Sequence, residues 1–140
     1  MTKLDHPIFN KSIDYIRSRL RVNGLDELEQ QVLERLIHTS GDFGIQEILR
    51  FSPSACQIGV NALKSGADIL VDTSMAVSAI HSMAKKTLNT QVKCILDWSP
   101  DQVDSHSTRT AIGIQKAWSS ISQENNIEAS PMVVIGSAPT

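Results

Sequence analysis

Three short apolar runs limit the possible folds more than any other feature of this chain. They are Ile69-Leu70-Val71, Val92-Lys93-Cys94-Ile95-Leu96 and Met132-Val133-Val134-Ile135, and each is separated from the next by a segment with apolar residues at helical spacing. A continuous apolar run suits a strand covered on both faces. Strand, helix, strand, helix, strand in that order is the pattern of right-handed parallel crossovers. The expected fold is therefore α/β: a parallel sheet with βαβ crossovers and a helical N-terminal part, an incomplete three-layer αβα arrangement. In open parallel sheets ligands collect beyond the carboxyl ends of the strands. That edge carries Asp72 to Ser74, Asp97 onward, and Gly136-Ser137-Ala138-Pro139.

The first third of the chain reads as helical. Asp5 can cap a helix with Pro7 in its first turn, with Phe9, Ile13, Ile16 and Leu20 on its apolar face and Asn23-Gly24 as its stop. Asp26 and Glu29 form a D-x-x-E variant of a capping box, opening a second helix with Leu28, Val32, Leu33, Leu36 and Ile37 inside. Ser52-Pro53 restarts a helix whose inner face is Ala55, Ile58, Ala62 and Leu63 and which Gly66 closes. Met75, Ile80 and Met83 mark the helix after the first strand. Ser107 can cap the next helix, through Ile114, Trp118 and Ile121. Gln123-Glu124-Asn125-Asn126 reads as a polar loop.

The chain's 140 residues fit one domain. A net charge of −2 and 4% aromatic residues exclude a general nucleic-acid binder, which needs a concentrated basic surface or stacking platforms. The basic segment of Lys11, Arg17, Arg19 and Arg21 reads as a solvated helix face. No apolar run approaches bilayer length and the N-terminus has no apolar signal segment, so no membrane partner is expected. Cys56 and Cys94 lie far apart and outside any Cys-x-x-Cys pattern, which points to a reducing, cytoplasmic setting and to inert burial.

Two features can carry chemistry. His38 follows the apolar stretch Val32, Leu33, Leu36, Ile37 and precedes Thr39-Ser40-Gly41, so it sits on a helix end or the turn after it. Taken alone, such a histidine is more often structural than catalytic, although its side chain can change charge near neutral pH. Ser107-Thr108-Arg109-Thr110 stands at a helix start, where backbone N–H groups, hydroxyls and a guanidinium converge as an anion site. Arginine suits a carboxylate because its planar fork binds both oxygens. There is no G-x-G-x-x-G or Walker pattern and no G-x-S-x-G elbow. His6, His38, His81 and His106 pair at neither H-x-x-H nor H-x-x-x-H spacing, so no metal site is expected.

These residues also fall into an ordered set: Lys11-Ser12-Ile13, Ile37-His38-Thr39-Ser40-Gly41, Phe51-Ser52-Pro53, Gly66-Ala67-Asp68-Ile69-Leu70-Val71-Asp72, Met75, Ser107-Thr108-Arg109 and Ile135-Gly136-Ser137-Ala138-Pro139-Thr140. The set resembles the precorrin-8X methylmutase family of cobalamin (vitamin B12) biosynthesis over nearly the whole chain. Where that family usually has Asn before Thr-Arg this chain has Ser107. Where it has Asn in the Gly-x-Ala-Pro-Thr run this chain has Ser137, and Ala79 stands for a glycine common after Met75.

The resemblance implies an isomerase that moves a methyl group of precorrin-8X from the eleventh to the twelfth carbon of the macrocycle, giving hydrogenobyrinate, or cobyrinate from the cobalt form. It implies that His38 protonates the tetrapyrrole and is the catalytic residue. It implies that Arg109 holds a peripheral carboxylate and that Ser12, Gly41, Asp72, Met75 and Thr108 help bind substrate. A rearrangement needs no redox partner, nucleotide or metal, and no cofactor is expected. The anion site agrees with a substrate rimmed by acetates and propionates. Family members continue beyond the Ala-Pro-Thr motif, so the chain is expected to be a single methylmutase-like domain lacking the family's C-terminal segment. A chain stopping at Thr140, just after an apolar strand, leaves sheet edge and apolar area uncovered, and a homodimer or higher assembly is expected to cover them. The alternatives are a non-catalytic tetrapyrrole binder or inactive truncated relative, and a doubly wound domain for an unrelated small ligand.

Overall fold

The structure is a computed structural model and describes residues 6–88, 90–123 and 130–136. The chain forms two compact units that divide between Gln57 and Ile58.

The first unit is helical. α1 (Pro7–Arg19) starts with proline at its first position and is capped by His6, whose ring accepts from the Ile8 N–H at 3.2 Å. The expected cap, Asp5, lies outside the described residues. α1 stops at Arg19, ahead of the expected stop, because Leu20 turns extended. Asn23-Gly24 instead builds the entry to α2 (Glu27–Ser40): Gly24 takes a left-handed φ of 69°, and Asn23 Oδ1 accepts from the Leu25 N–H.

The α2 capping box forms as expected, with Asp26 accepting from Glu29 N–H at 2.9 Å and Glu29 accepting from Asp26 N–H at 3.1 Å. Gly41 closes the helix in the left-handed region at φ 73°. Ile13 and Ile16 from α1 meet Leu33 and Ile37 from α2 in the core of this unit. Val32 and Leu36, expected inside, are partly open to solvent. A short α3 (Ile45–Ile48) occupies the apolar but irregular stretch after α2.

α4 (Ala55–Lys64) starts two residues later than Ser52-Pro53 suggests. Ser54 has φ 58°, which a right-handed helix cannot contain, so Ser52 to Ala55 forms a turn closed by Ala55 N–H to Ser52 O at 3.0 Å. Gly66, at φ 82°, ends α4 in a Schellman motif: Ala67 N–H bonds Ala62 O at 3.0 Å and Gly66 N–H bonds Leu63 O at 3.1 Å.

The second unit is the expected α/β layer. β1 (Ile69–Val71), α5 (Ser74–Thr87), β2 (Val92–Cys94), a 3-10 turn (Ile95–Trp98), α6 (Arg109–Gln123) and β3 (Met132–Val134) follow in order. Both pairings are parallel and the strand order is β2-β1-β3, which places β1 centrally. Alternation along β1 assigns the layers. Leu70 packs with Ile95, Ala117 and Ile121 on the α6 side, while Ile69 and Val71 pack with Ala84, Leu63, Val77 and Ile80 on the α4–α5 side.

The second and third strands are shorter than their apolar runs. β1 offers only Ile69 to Val71 for pairing, so the ladder ends at Cys94 and Val134. Ile95 then turns into the core, whereas Ile135 is half exposed. Ile58, expected on an inner helix face, points outward, as do Met83 and Trp118, and the small residues Ala84 and Ala117 take the inward positions beside the sheet. Gly113 explains the close approach of α6: a Cβ there would lie 2.5 Å from the Ile95 carbonyl oxygen and would also strike Ser99 Oγ.

Candidate functional site

His38 lies within the last turn of α2, not in the turn after it, and its side chain is exposed. The packing of α1 on α2 brings Ser12 to it: Ser12 Oγ stands 2.8 Å from His38 Nδ1, across 26 residues of sequence. Ser12 follows one position before the buried Ile13 on α1, and His38 follows the buried Ile37 on α2, so the apolar seam sets their meeting. A partner on Nδ1 orients the ring and distinguishes its two nitrogens. Among the described residues no hydrogen bond engages Nε2.

Two residues that the sequence did not mark as part of the site, Phe9, read only as an apolar-face residue, and Arg35, also touch this histidine's surroundings. The Phe9 ring centroid lies 4.8 Å from the His38 ring at an interplanar angle of 78°, and Arg35 Cζ sits 4.7 Å over the Phe9 ring. The signal was available in the spacing. Phe9 and Ser12 are three apart on one helix, and Arg35 and His38 three apart on the next, so each pair shares a face. Gly41, three residues beyond His38, contributes through its backbone as the left-handed terminus of α2.

One turn from the Ser12–His38 pair, Arg17 braces the same helix pair. Its Nε and Nη2 donate to Glu34 Oε1 and Oε2 at 2.7 and 2.9 Å, and Gln30 Nε2 donates to Oε1 at 3.1 Å. Glu34 is 2% exposed, so this two-point bond satisfies a carboxylate removed from water. The hydrogen bond to Glu34 raises Arg17 above its ordinary proton affinity, with Glu34, Asp14 and Glu27 charges adding to it against desolvation.

The second unit holds the other expected binding residues. Asp72 ends the central strand, 2% exposed, and its Oδ1 accepts from the Gly136 N–H at 3.0 Å. It thereby ties the carboxyl end of β1 to the second residue beyond β3. The chain runs from β1 through α5 to β2 on one side of β1, and then from β2 through α6 to β3 on the other side. Met75, in the first turn of α5, is 80% exposed close to Asp72 in sequence. The expected continuation of this edge, Ser137 to Thr140, lies outside the described residues, as does the polar loop over 124–126.

At the start of α6 the cap is Thr108, not Ser107. Thr108 Oγ1 accepts from Ala111 N–H at 3.1 Å and lies 3.0 Å from Thr110 Oγ1. Arg109 is the first helical residue, exposed, with no carboxylate at ion-pair distance among the described residues. Its carbonyl oxygen accepts from Ser99 Oγ at 2.5 Å, which ties the helix start to the end of the 3-10 turn. That contact fixes the backbone from which the exposed Arg109 side chain starts.

Among the described residues there is no cluster of three or more His, Cys, Asp or Glu side chains suited to a metal. No helix among them is long and apolar enough to cross a membrane.

Comparisons with known proteins give a consistent result. The model of the precorrin-8X methylmutase family matches residues 7–140. A cobalt-precorrin-8 methylmutase of Leptospira interrogans is 31% identical over 144 residues, covering 100% of this chain and 63% of that relative. A precorrin-8X methylmutase of Pseudomonas aeruginosa is 31% identical over 136 residues, covering 95% of this chain and 62% of that relative. The crystal structure of precorrin-8x methyl mutase from Thermus thermophilus superposes with a TM-score of 0.76 at 25% identity, over 94% of this chain and 62% of that one. The chain therefore spans less than two thirds of the length of these three relatives. The match of the family model to residues 7–140, nearly the whole chain, shows that this chain belongs to the precorrin-8X methylmutase family.

Proposed function

We propose that this chain is the catalytic unit of a cobalamin-pathway isomerase that moves a methyl group on precorrin-8X, or on its cobalt form, to give hydrogenobyrinate or cobyrinate. The observation that carries the reading is the Ser12–His38 hydrogen bond at 2.8 Å. With Nδ1–H donated to the Ser12 oxygen, the imidazolium holds its second proton on Nε2. Giving that proton to the macrocycle leaves the Nδ1–H tautomer, which keeps the same bond to Ser12. Substrate and product are isomers, so the proton returns to Nε2 once the methyl group has moved, and no atom or electron is gained.

Arg109 is the carboxylate anchor in this reading, because a bidentate guanidinium matches an acetate or propionate of the rim. Thr108 sets the helix start that presents it. Gly41 ends the helix that carries His38, Asp72 braces the sheet edge and Met75 offers apolar surface to the ring system. The chain acts as one methylmutase-like domain in the cytoplasm, as a homodimer, without a cofactor.

The test is conversion of precorrin-8X by the purified chain, followed by its absorption spectrum. His38→Ala should abolish the shift and leave binding largely intact, since proton donation stabilises the transition state and not the ground state. Turnover at the wild-type rate would make His38 structural. A chain that binds precorrin-8X without converting it would leave only the tetrapyrrole-binding role. Light scattering at micromolar concentration decides the dimer.

A further inference from the structure

Phe9 enters α1 as an apolar residue packed against the cluster of Ile13, Ile16, Leu33 and Ile37. Its ring also contacts two side chains of one turn of α2: the His38 imidazole at 4.8 Å and 78°, and the Arg35 guanidinium at 4.7 Å. Three residues along α1, Ser12 holds His38 Nδ1 at 2.8 Å. All four groups belong to the same helix pair.

A single hydrogen bond fixes where Nδ1 lies but not the tilt of the ring about that bond. An exposed histidine held only there samples several rotamers, and each places Nε2 differently. A second contact on the ring's plane removes that freedom. The near-perpendicular Phe9 ring supplies it, and the cation over the Phe9 face holds Phe9 itself in place.

We propose that Phe9 is a positioning residue for His38: with Ser12 it confines the imidazole to one rotamer, so that Nε2 is presented in a single direction. Arg35 supports it from the ring face. The catalytic consequence rests on the reading of His38 as the proton donor. The positioning itself does not.

The experiment uses the full chain with isotope-labelled histidine. Three-bond couplings report the His38 χ1 rotamer and long-range proton–nitrogen spectra report its tautomer. Wild type and Phe9→Tyr should show one rotamer, and Phe9→Leu, which keeps apolar bulk without a ring, should show averaging. Turnover of precorrin-8X by Phe9→Leu should fall about 10-fold in kcat with KM unchanged, because misplacing a reacting group costs rate and not binding. Phe9→Tyr should restore it. If Phe9→Leu does not fold, Phe9→Met makes the same measurement with an unbranched side chain. A single rotamer in the ringless variant overturns the proposal, and averaging with wild-type kcat upholds the positioning but overturns its catalytic consequence. Wild-type turnover by His38→Ala, or no turnover by any form, would remove the proton-donor reading instead, and the couplings would still decide whether Phe9 holds the ring.

Discussion

The two units place their candidate residues by different means. In the helical unit, His38 and Ser12 are 26 residues apart and meet only because α1 lies against α2. Polar side chains span that seam, above all Arg17 on the buried Glu34. In the α/β unit, Asp72 and Arg109 are placed by main-chain structure, one at the end of the central strand and one at the first position of a helix. Apolar layers on both faces of β1 hold that frame. The proton transfer proposed for His38 needs an orientation that neighbouring side chains set. The carboxylate anchoring proposed for Arg109 needs only a fixed starting point for a long, forked side chain. The helical unit should therefore be sensitive to polar substitutions, and the sheet unit to changes of volume.

The contrast can be broken at four places. Leu70→Ala should have the largest effect, because Leu70 is fully buried at the centre of the α6 side. We expect a loss of about 4 kcal/mol by urea unfolding. A loss under about 1 kcal/mol would mean that the layers are not what holds the sheet unit.

Gly113→Ala comes next. The added methyl group meets the Ile95 carbonyl, a backbone atom that cannot swing aside, so α6 must move away from the 3-10 turn. About 3 kcal/mol is expected. His38 should be unaffected, as read by its side-chain resonances.

Arg17→Met leaves the Glu34 carboxylate buried with Gln30 as its remaining described partner. The expected loss is about 2 kcal/mol, less than for a fully buried pair because the Arg17 side chain is 49% exposed and water can reach it. The double substitution Arg17→Met with Glu34→Gln should recover most of that loss, since the cost lies in the unpaired charge. Failure to recover would assign the effect to lost packing.

The smallest effect concerns Cys56, half-buried in the first turn of α4. Desolvation, with the charges of Glu29 and Asp26 adding to it, pushes its thiol above the ordinary 9.0. The folded chain then holds this proton more tightly than the unfolded chain, so this group's contribution to stability is full below pH 9.0 and falls as pH rises past it. Glu29→Gln should lower the thiol's affinity for its proton and speed iodoacetamide alkylation at pH 8, with the buried Cys94 as the slow internal control. An unchanged rate would remove the carboxylate from the Cys56 environment.

Much of the frame was readable from local chemistry. The capping box at Asp26 and Glu29 and the closing glycine Gly66 each act within a few residues, and both formed as expected. Errors arose where a distant element decided. The apolar run 92–96 has strand composition to its end, but its last two residues turn away because β1 provides no further partner. Trp118 shares the helical spacing of Ile114 and Ile121, yet it is about half exposed, and Ala117 takes the position against Leu70 and Ile95. Ser107 and Thr108 are both good caps, and the backbone direction into α6 selected Thr108.

By itself, then, the sequence determined the elements, their αβα order and, through its motifs, the family, because hydrophobic period and capping depend on neighbours within one or two turns. Only the tertiary structure decided which side chains meet. The contact of Ser12 with His38, the placing of Phe9 between Arg35 and that imidazole, and the tie from Asp72 to Gly136 all join residues from different elements. Such contacts depend on how apolar faces seat against one another, and a shift of one residue in that seating would put a different side chain against His38.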